Sequence, residues 1–184
     1  MPGPPRVPWQ NQDLVLYHGT IEKYRPSIAR GIDATKGRVN LDFGQGFYTT
    51  TFERQAVSWA WIKFQREPGS MPIVLRFQVK RASLSQLDSM WIIRGSKTAS
   101  DFWSLVFHCR RNGGGHGRTG DIGWYDVVAG PVVNTPLTKF SVLPGYDQIS
   151  FHTPIACQVL NSSRRGFASI DNNGRSLRLD WEDL

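Results

Sequence analysis

Cysteine is scarce in this sequence of 184 residues, which contains only Cys109 and Cys157. The two lack a CxxC pair or a cysteine–histidine spacing, which excludes a disulfide scaffold and provides no zinc motif. We therefore expect no metal and a reducing compartment, the cytoplasm of the producing or a target cell, as the site of action. No apolar run approaches the roughly 20 residues that a membrane-spanning helix needs, so no membrane partner is expected.

The amino-terminal residues lack the charged-then-apolar layout of a signal peptide and are instead rich in proline. We expect residues 1–12 to form an extended proline-rich leader, such as the junction of a domain cut from a longer protein. Residues 13–184 are predicted to form a single domain, because a chain that is 40% apolar has enough material for one core.

The net charge of +7 is concentrated in the middle of the chain, where residues 61–118 carry ten Lys/Arg against three Asp/Glu. Such an excess attracts acidic or phosphate-rich partners. A solvated basic surface that only aids solubility is an equal alternative, because charges clustered in sequence need not cluster in space.

Hydrophobic patterning predicts a mixture of strands and helices without a regular βαβ order, which indicates the α+β class. Strands are predicted at 13–17, 71–79, 124–129 and 148–151, and a tight loop leads into another strand at 41–51. Helices are predicted at 52–65, 100–109 and 154–160, with a short one before Gly31. A glycine-rich loop at 112–123 lacks the Gly-Lys-Ser/Thr ending of a phosphate-binding loop, which excludes a nucleoside triphosphatase.

Two segments carry the residue types of a binding site. The first is Tyr-His-Gly-Thr at 17–20, where a predicted strand ends in a histidine and a glycine whose bare backbone can contact a flat ligand. The second is DFGQGFYTT at 42–50, where two glycines form a turn that leads to Tyr48. Each segment alone is a weak signal, since lone strand-end histidines and Gly-x-Gly loops are common.

The combination and order of these segments resemble the ADP-ribosyltransferase superfamily, in the branch of the poly(ADP-ribose) polymerases and diphtheria-type toxins. More closely, DFGQGFYTT with QAVSWA, YDVVAGPV and DQISFHT resembles a family of small bacterial toxin domains related to those polymerases. The resemblance covers about residues 14–160. It implies a fold of two packed, largely antiparallel sheets with flanking helices and a central cleft that binds NAD⁺ as co-substrate, without a metal.

The resemblance also implies roles for individual residues. His18 corresponds to the histidine that binds the adenine-side ribose, and Gly19 to the glycine whose backbone holds the nicotinamide carboxamide. Tyr48 corresponds to the tyrosine that stacks on the nicotinamide ring, and Trp59 falls where a second aromatic closes the other face. The remaining expected contacts to the cofactor are adjacent polar positions and an arginine that could reach the phosphates: Thr20, Thr49 and Arg38.

Glutamate is scarce as well, with only four in the chain, and none lies in a late apolar strand where many such enzymes place a catalytic one. Gln148 occupies that position and completes the expected catalytic set with His18 and Tyr48. A glutamine can orient a ribose hydroxyl but cannot act as a general base. Asp147 is adjacent, yet neighbouring strand residues point to opposite faces, so only one of the two should face the cleft.

These comparisons predict an enzyme, a mono-ADP-ribosyltransferase that releases nicotinamide and modifies a protein or nucleic-acid acceptor. The domain would act as a bacterial toxin or effector, and an antitoxin or immunity protein is an expected partner. The alternative is a module that binds nucleic acid, NAD⁺ or ADP-ribose without catalysis, since tryptophans and basic residues together can hold single strands.

Overall fold

Two four-stranded β-sheets form the framework of the protein. The computed structural model describes residues 12–92, 99–112, 115–117, 123–134, 141–170 and 182–184. The strands are β1 (Leu14–Ile21), β2 (Phe47–Thr49), β3 (Pro72–Val79), β4 (Ser89–Trp91), β5 (Val127–Val133), β6 (Val142–Phe151), β7 (Arg164–Ser169) and β8 (Glu182–Asp183). The helices are α1 (Arg25–Arg30), α2 (Glu53–Arg66), α3 (Arg81–Leu84), α4 (Ala99–Asn112) and α5 (Pro154–Asn161).

The first sheet has the strand order β1-β3-β7-β8 and the second the order β2-β6-β5-β4. Every strand pair is antiparallel except β4 with β5, which is parallel. The α+β class predicted from the sequence is therefore confirmed, and the described part of the chain contains two largely antiparallel sheets.

The main core lies where the two sheets pack together. Leu75 and Phe77 of the first sheet share one buried cluster with Ile149 and Phe151 of the second, and Leu160 of α5 contributes to it as well. Alternation along each strand explains this arrangement, because every second side chain points to the same face. A second buried cluster joins α4 to the opposite face of the second sheet, through residues such as Val106 and Val128.

Helix α2 packs on the outer face of the first sheet, beside β1 and β3. Ala56 and Ala60 are fully buried there and share a cluster with Val74 of β3. Small side chains at both helix positions allow the helix backbone to approach the strand backbone closely. The predicted helix at 52–65 and the predicted strand at 71–79 correspond to α2 and β3 within one residue.

The structure corrects several predicted boundaries. β1 does not end at Tyr17 but continues through Ile21, because its pairing with β3 extends to Pro72. β5 begins at Val127 rather than 124, and β6 is longer than the predicted strand at 148–151. The leader predicted at 1–12 lies almost entirely outside the described residues. Among the helices with described positions, none is both long and apolar enough to cross a membrane.

Candidate functional site

The two sequence segments singled out above meet in the structure. A single antiparallel bridge joins β1 to the end of β2, with the Tyr17 N–H donating to the Thr50 oxygen over 2.8 Å and the Thr50 N–H donating to the Tyr17 oxygen over 2.9 Å. Nδ1 of His18 lies 2.6 Å from the backbone oxygen of Tyr48. The histidine-glycine segment and the tyrosine segment therefore form one local structure.

Beyond this bridge the two strands separate, and the backbone of Gly19 is left open. A continued antiparallel ladder would place Gly19 opposite Tyr48. In such a ladder the N–H and C=O of alternate residues point to the same side, so those of Gly19 point toward β2, as those of Tyr17 do. The carbonyl of Tyr48 is taken by His18 instead, and the bridge between Tyr17 and Thr50 is isolated, so the next backbone pair of this ladder, Gly19 with Tyr48, does not form.

The register with β3 agrees with this orientation. The Glu22 N–H bonds the Met71 oxygen over 2.8 Å, so even-numbered residues of this stretch bond toward β3. Ile21, the next odd-numbered residue after Gly19, pairs with Pro72, which has no N–H to donate. One donor and one acceptor of Gly19 thus face the separation between β1 and β2, which we call the β1–β2 gap.

His18 is held as a neutral imidazole beside the gap. Because a carbonyl oxygen only accepts, the contact with Tyr48 places a hydrogen on Nδ1 and leaves Nε2 as an acceptor. The ring stacks on Phe47 with 4.4 Å between centroids. The pKa of His18 is lowered to about 4, mainly by burial and to a smaller extent by the charge of Lys63, while the bond to Tyr48 acts in the opposite direction.

Helix α2 covers the face of β1 at Gly19. A Cβ atom at position 19 would lie 1.9 Å from the backbone oxygen of Ala56 and 2.8 Å from the nitrogen of Ala60. Contacts this short with backbone atoms exclude any side chain. The requirement for glycine here therefore comes from the approach of the helix, in addition to the open edge.

Trp59 lies on the surface of α2 between Ala56, which faces the first sheet, and Gln55, which faces the second. Successive helix residues are turned by about 100°, which places position 59 between Ala56, facing β1, and Gln55. The Gln55 side chain bonds the Thr50 hydroxyl over 3.0 Å and the Asp147 backbone oxygen over 2.6 Å, so it faces β2 and β6. The indole of Trp59, which is 41% exposed, thus lies on the side of the helix that borders the gap.

Lys63, one turn after Trp59, is a candidate binding residue that the sequence prediction missed. Its ammonium lies 4.2 Å from the centre of the Tyr24 ring. Burial lowers the pKa of Lys63, and the nearby charges of Arg38 and Lys23 lower it further, against the effect of Glu67. The spacing of four residues from Trp59 was the available sequence signal, because such residues share a helix face.

The phenol of Tyr48 points to the other side of β2 from Phe47 and His18. Its hydroxyl accepts from the Phe43 N–H over 3.0 Å and donates to the Gly44 oxygen over 2.7 Å. Burial raises the pKa of this phenol well above its ordinary value. The hydroxyl therefore fixes the glycine turn, and the ring is held in a single position.

Gln148 is buried on the same side as Tyr48 and is held by its amide nitrogen. Nε2 donates to Oδ2 of Asp42 over 2.7 Å and to the Pro131 oxygen over 3.0 Å. Asp42 in turn forms an ion pair with Arg110 and accepts from the Val133 N–H over 3.0 Å. Two acceptors around Nε2 fix which end of the amide is the NH₂ group.

Asp147 points away from Gln148, as the alternation of a strand requires. Its carboxylate accepts from the hydroxyls of Thr50 and Thr51 and from the Thr51 N–H, which lies 3.0 Å away. Its backbone N–H donates to Gln55 over 3.1 Å. Asp147 therefore connects β6 to the start of α2.

Two predicted cofactor contacts, Thr20 and Thr49, have side chains in the interior. Thr20 is fully buried, and its hydroxyl has no partner among the described residues. The Thr49 hydroxyl donates to the Ile149 backbone oxygen over 2.9 Å. Arg38, by contrast, is exposed.

Two buried histidines and a buried cysteine lie close to the glycine turn. Nε2 of His116 lies 2.9 Å from the Phe43 oxygen. Nδ1 of His152 lies 2.8 Å from the Gln45 oxygen, and Thr153 caps α5. Burial raises the pKa of the Cys109 thiol to about 12.

The fold and site define an α+β protein with an open glycine edge between two sheets, in which no cluster suited to a metal ion occurs among the described side chains. Residues 14–146 match a family described as a protein of unknown function, DUF3990. The chain belongs to this family. The match includes His18, Gly19, Tyr48 and Trp59 and stops two residues before Gln148. Neither a curated protein nor a solved structure matches the chain.

Proposed function

We propose that this protein is an NAD⁺-dependent mono-ADP-ribosyltransferase that binds nicotinamide in the β1–β2 gap. The observation that carries the proposal is the open backbone of Gly19, which lies next to His18 and faces Tyr48 across the gap. The two packed sheets, with α2 beside the gap, support an ADP-ribosyltransferase-like fold with a central NAD⁺ cleft.

The gap suits a carboxamide because it offers one donor and one acceptor. The amide NH₂ of nicotinamide would donate to the Gly19 oxygen, and its carbonyl would accept from the Gly19 N–H. Such a pair selects an amide without using a charged side chain. Trp59, exposed at the border of the gap, would stack on the ring, and Tyr48 would limit the space on the other side.

The rest of the dinucleotide would extend past His18 toward the positively charged side chains of Lys63 and Arg38. Nε2 of His18 is an acceptor and can bind a ribose hydroxyl of the adenosine half. Lys63 and Arg38 would face the two phosphates, where a partly desolvated ammonium makes a stronger contact than an exposed one.

The reaction breaks the bond between the nicotinamide nitrogen and C1 of its ribose. The bonding electron pair leaves with nicotinamide, and the ribose carries an oxocarbenium charge until an acceptor nucleophile forms the new bond to C1 and gives up its proton. Holding the departing ring flat and the ribose in place lowers the barrier by orientation. Oε1 of Gln148, which has no hydrogen-bond partner among the described residues, would accept from a hydroxyl of this ribose.

The acceptor is a protein or a nucleic acid, and the basic excess of residues 61–118 favours a nucleic acid. We further propose that the domain is a bacterial toxin or effector acting in the cytoplasm of the producing or a target cell. A protein of this kind requires an antitoxin or immunity protein as a partner.

The test uses NAD⁺ labelled separately on nicotinamide and on the adenylate, incubated with purified protein and a cell lysate. We expect release of nicotinamide and transfer of the adenylate label to macromolecules. Sensitivity of the label to protease or to nuclease then identifies the acceptor class. Binding of NAD⁺ or RNA without nicotinamide release would contradict the proposal and favour a non-catalytic binding module.

A further inference from the structure

The contacts of Gln148 use both hydrogens of its amide, and both partners are acceptors. One is the carboxylate of Asp42 at 2.7 Å and the other is the backbone oxygen of Pro131 at 3.0 Å. Oε1 must then point away from both of them. Oε1 has no partner among the described residues, and its direction is therefore set by the two partners of the amide nitrogen.

Asp42 is itself fixed from three sides. It is buried with 6% of its surface exposed, and Oδ1 accepts from Nε of Arg110 over 2.8 Å as well as from Nη2. Oδ2 accepts from the Val133 N–H in addition to Gln148. A buried carboxylate held by a two-point arginine contact and a backbone N–H has little freedom to move.

We propose that Asp42 and Arg110 are positioning residues for Gln148, and that Asp42 makes position 148 specific for a side chain that donates hydrogen bonds. The catalytic part of this inference rests on the proposed function, in which Oε1 of Gln148 touches the ribose.

A glutamate at position 148 has the same shape but no donor. Its second oxygen would face the Asp42 carboxylate and the Pro131 carbonyl at distances where both original contacts become repulsive. Two buried carboxylates this close cannot both ionise without a large penalty. A carboxylate at position 148 would stabilise the positive charge that develops on the ribose, but Asp42 excludes a charged side chain from this position.

The experiment compares four variants of the full chain: Gln148→Glu, Asp42→Asn, the double variant with both changes, and Gln158→Glu. The last makes the same chemical change at an exposed position of α5 and is the matched control. The double variant exchanges the carboxylate and the amide between positions 42 and 148, so the number of charges stays that of the wild type. The measurements are the thermal unfolding midpoint and the kcat and KM for nicotinamide release.

We expect Gln148→Glu to lower kcat about 10- to 100-fold per folded molecule, with a smaller change in KM, because Oε1 is displaced from the ribose. The deficit of its unfolding midpoint, measured against the wild type at the same pH, should shrink on acidification from about pH 7.5 to about pH 5.5, where the two carboxylates share a proton. The double variant should regain part of both properties, since an amide again faces a carboxylate, while the Pro131 oxygen still meets an oxygen of residue 148 and the Val133 N–H loses its acceptor. Gln158→Glu should match the wild type.

If Gln148→Glu does not fold, recovery of a folded, active double variant still demonstrates the coupling. The inference is overturned if Gln148→Glu is as stable and active as Gln158→Glu, or if Asp42→Asn fails to rescue it. A lower unfolding midpoint with unchanged kcat in folded Gln148→Glu would leave Asp42 a structural residue only and would also overturn the positioning role. Absence of turnover in the wild type contradicts the proposed function and the catalytic role of the pair, whereas the unfolding data decide separately whether Asp42 holds residue 148.

Discussion

His18 donates from Nδ1 to the backbone oxygen of Tyr48 over 2.6 Å, and this contact occupies the carbonyl that would otherwise pair with Gly19. The His18 side chain of β1 thus bonds β2 in place of the backbone pair that Gly19 and Tyr48 would form. The contact keeps the two strands together at the point where their ladder stops, and it leaves the Gly19 groups available to a ligand.

Replacement of Gly19 by alanine should destabilise the protein by about 3 kcal/mol or more, because the added carbon would overlap the Ala56 carbonyl of α2. The measurement is the free energy of unfolding from urea titration. Gly123→Ala is the control, since a Cβ at position 123 meets nothing within 4 Å, and its effect should stay within about 0.5 kcal/mol. Equal effects of the two variants would disprove the close approach of α2 to β1.

Trp59→Ala should raise the Kd for nicotinamide and the KM for NAD⁺ about 10-fold, because stacking on an exposed aromatic is worth roughly 1–3 kcal/mol. Trp59→Phe should retain most of the affinity. Trp91→Ala is the matched control, because Trp91 is also exposed but lies on β4. Calorimetric titration with nicotinamide checks this prediction, and identical affinities of Trp59→Ala and Trp91→Ala would refute the stacking role.

Lys63→Met should raise the KM for NAD⁺ about 10-fold, since loss of a charge-assisted contact to phosphate costs roughly 1.5 kcal/mol. The methionine keeps the apolar stem that packs near Tyr24. Binding of nicotinamide, which has no phosphate, should not change, and the salt dependence of the KM should weaken. Lys80→Met, at an exposed position after β3, is the control. A parallel loss of nicotinamide binding would show that Lys63 acts through the fold rather than through phosphate.

Stability should fall as the pH decreases below 6.5, the ordinary pKa of histidine. Burial lowers the pKa of His18 to about 4 and that of His152 to about 3, so between these values and 6.5 the unfolded chain binds protons that the folded chain excludes. The stabilisation is complete above 6.5 and is lost as the pH falls toward the folded values, by up to about 1.4 kcal/mol per pH unit for each histidine.

Urea titrations across this range, for the wild type and for His18→Gln, measure that slope. In the variant, the slope of the unfolding free energy against pH should correspond to up to one proton fewer taken up on unfolding. The reason is that a glutamine can still donate to Tyr48 but does not titrate. An unchanged slope would show that His18 titrates normally in the folded protein. Because His18 is neutral in the folded protein at pH 6.5, its protonation should not lower the kcat/KM for nicotinamide release near this pH. The wild type and His18→Gln should therefore show the same pH dependence of kcat/KM there.

The sequence predicted those parts of the fold that local patterns determine. Helix α2 and strand β3 follow directly from hydrophobic periodicity, and Asp147 and Gln148 point to opposite sides as alternation requires. β7 was missed because Arg164, Arg165 and Gly166 interrupt its apolar pattern, although Phe167 and Ala168 are buried.

Contacts between distant parts of the chain explain the remaining differences. Arg110 and Asp42 are 68 positions apart, and Gln148 and Asp42 are 106 apart, so no local pattern indicates that they meet. The sequence located Gln148 at the late strand but contained no sign that a buried carboxylate would face its amide. Similarly, Lys63 was passed over because its neighbours His18 and Arg38 come from other segments.

The connection made by Asp147 limits how the protein can respond to a ligand. This residue ties the start of α2 to the second sheet, while Ala56 and Ala60 hold the body of the helix against the first. A helix anchored to both layers cannot swing toward one without breaking from the other. Ligand entry should therefore be accommodated by rotamer changes of Trp59 and Lys63, and main-chain positions of free and occupied forms should nearly coincide.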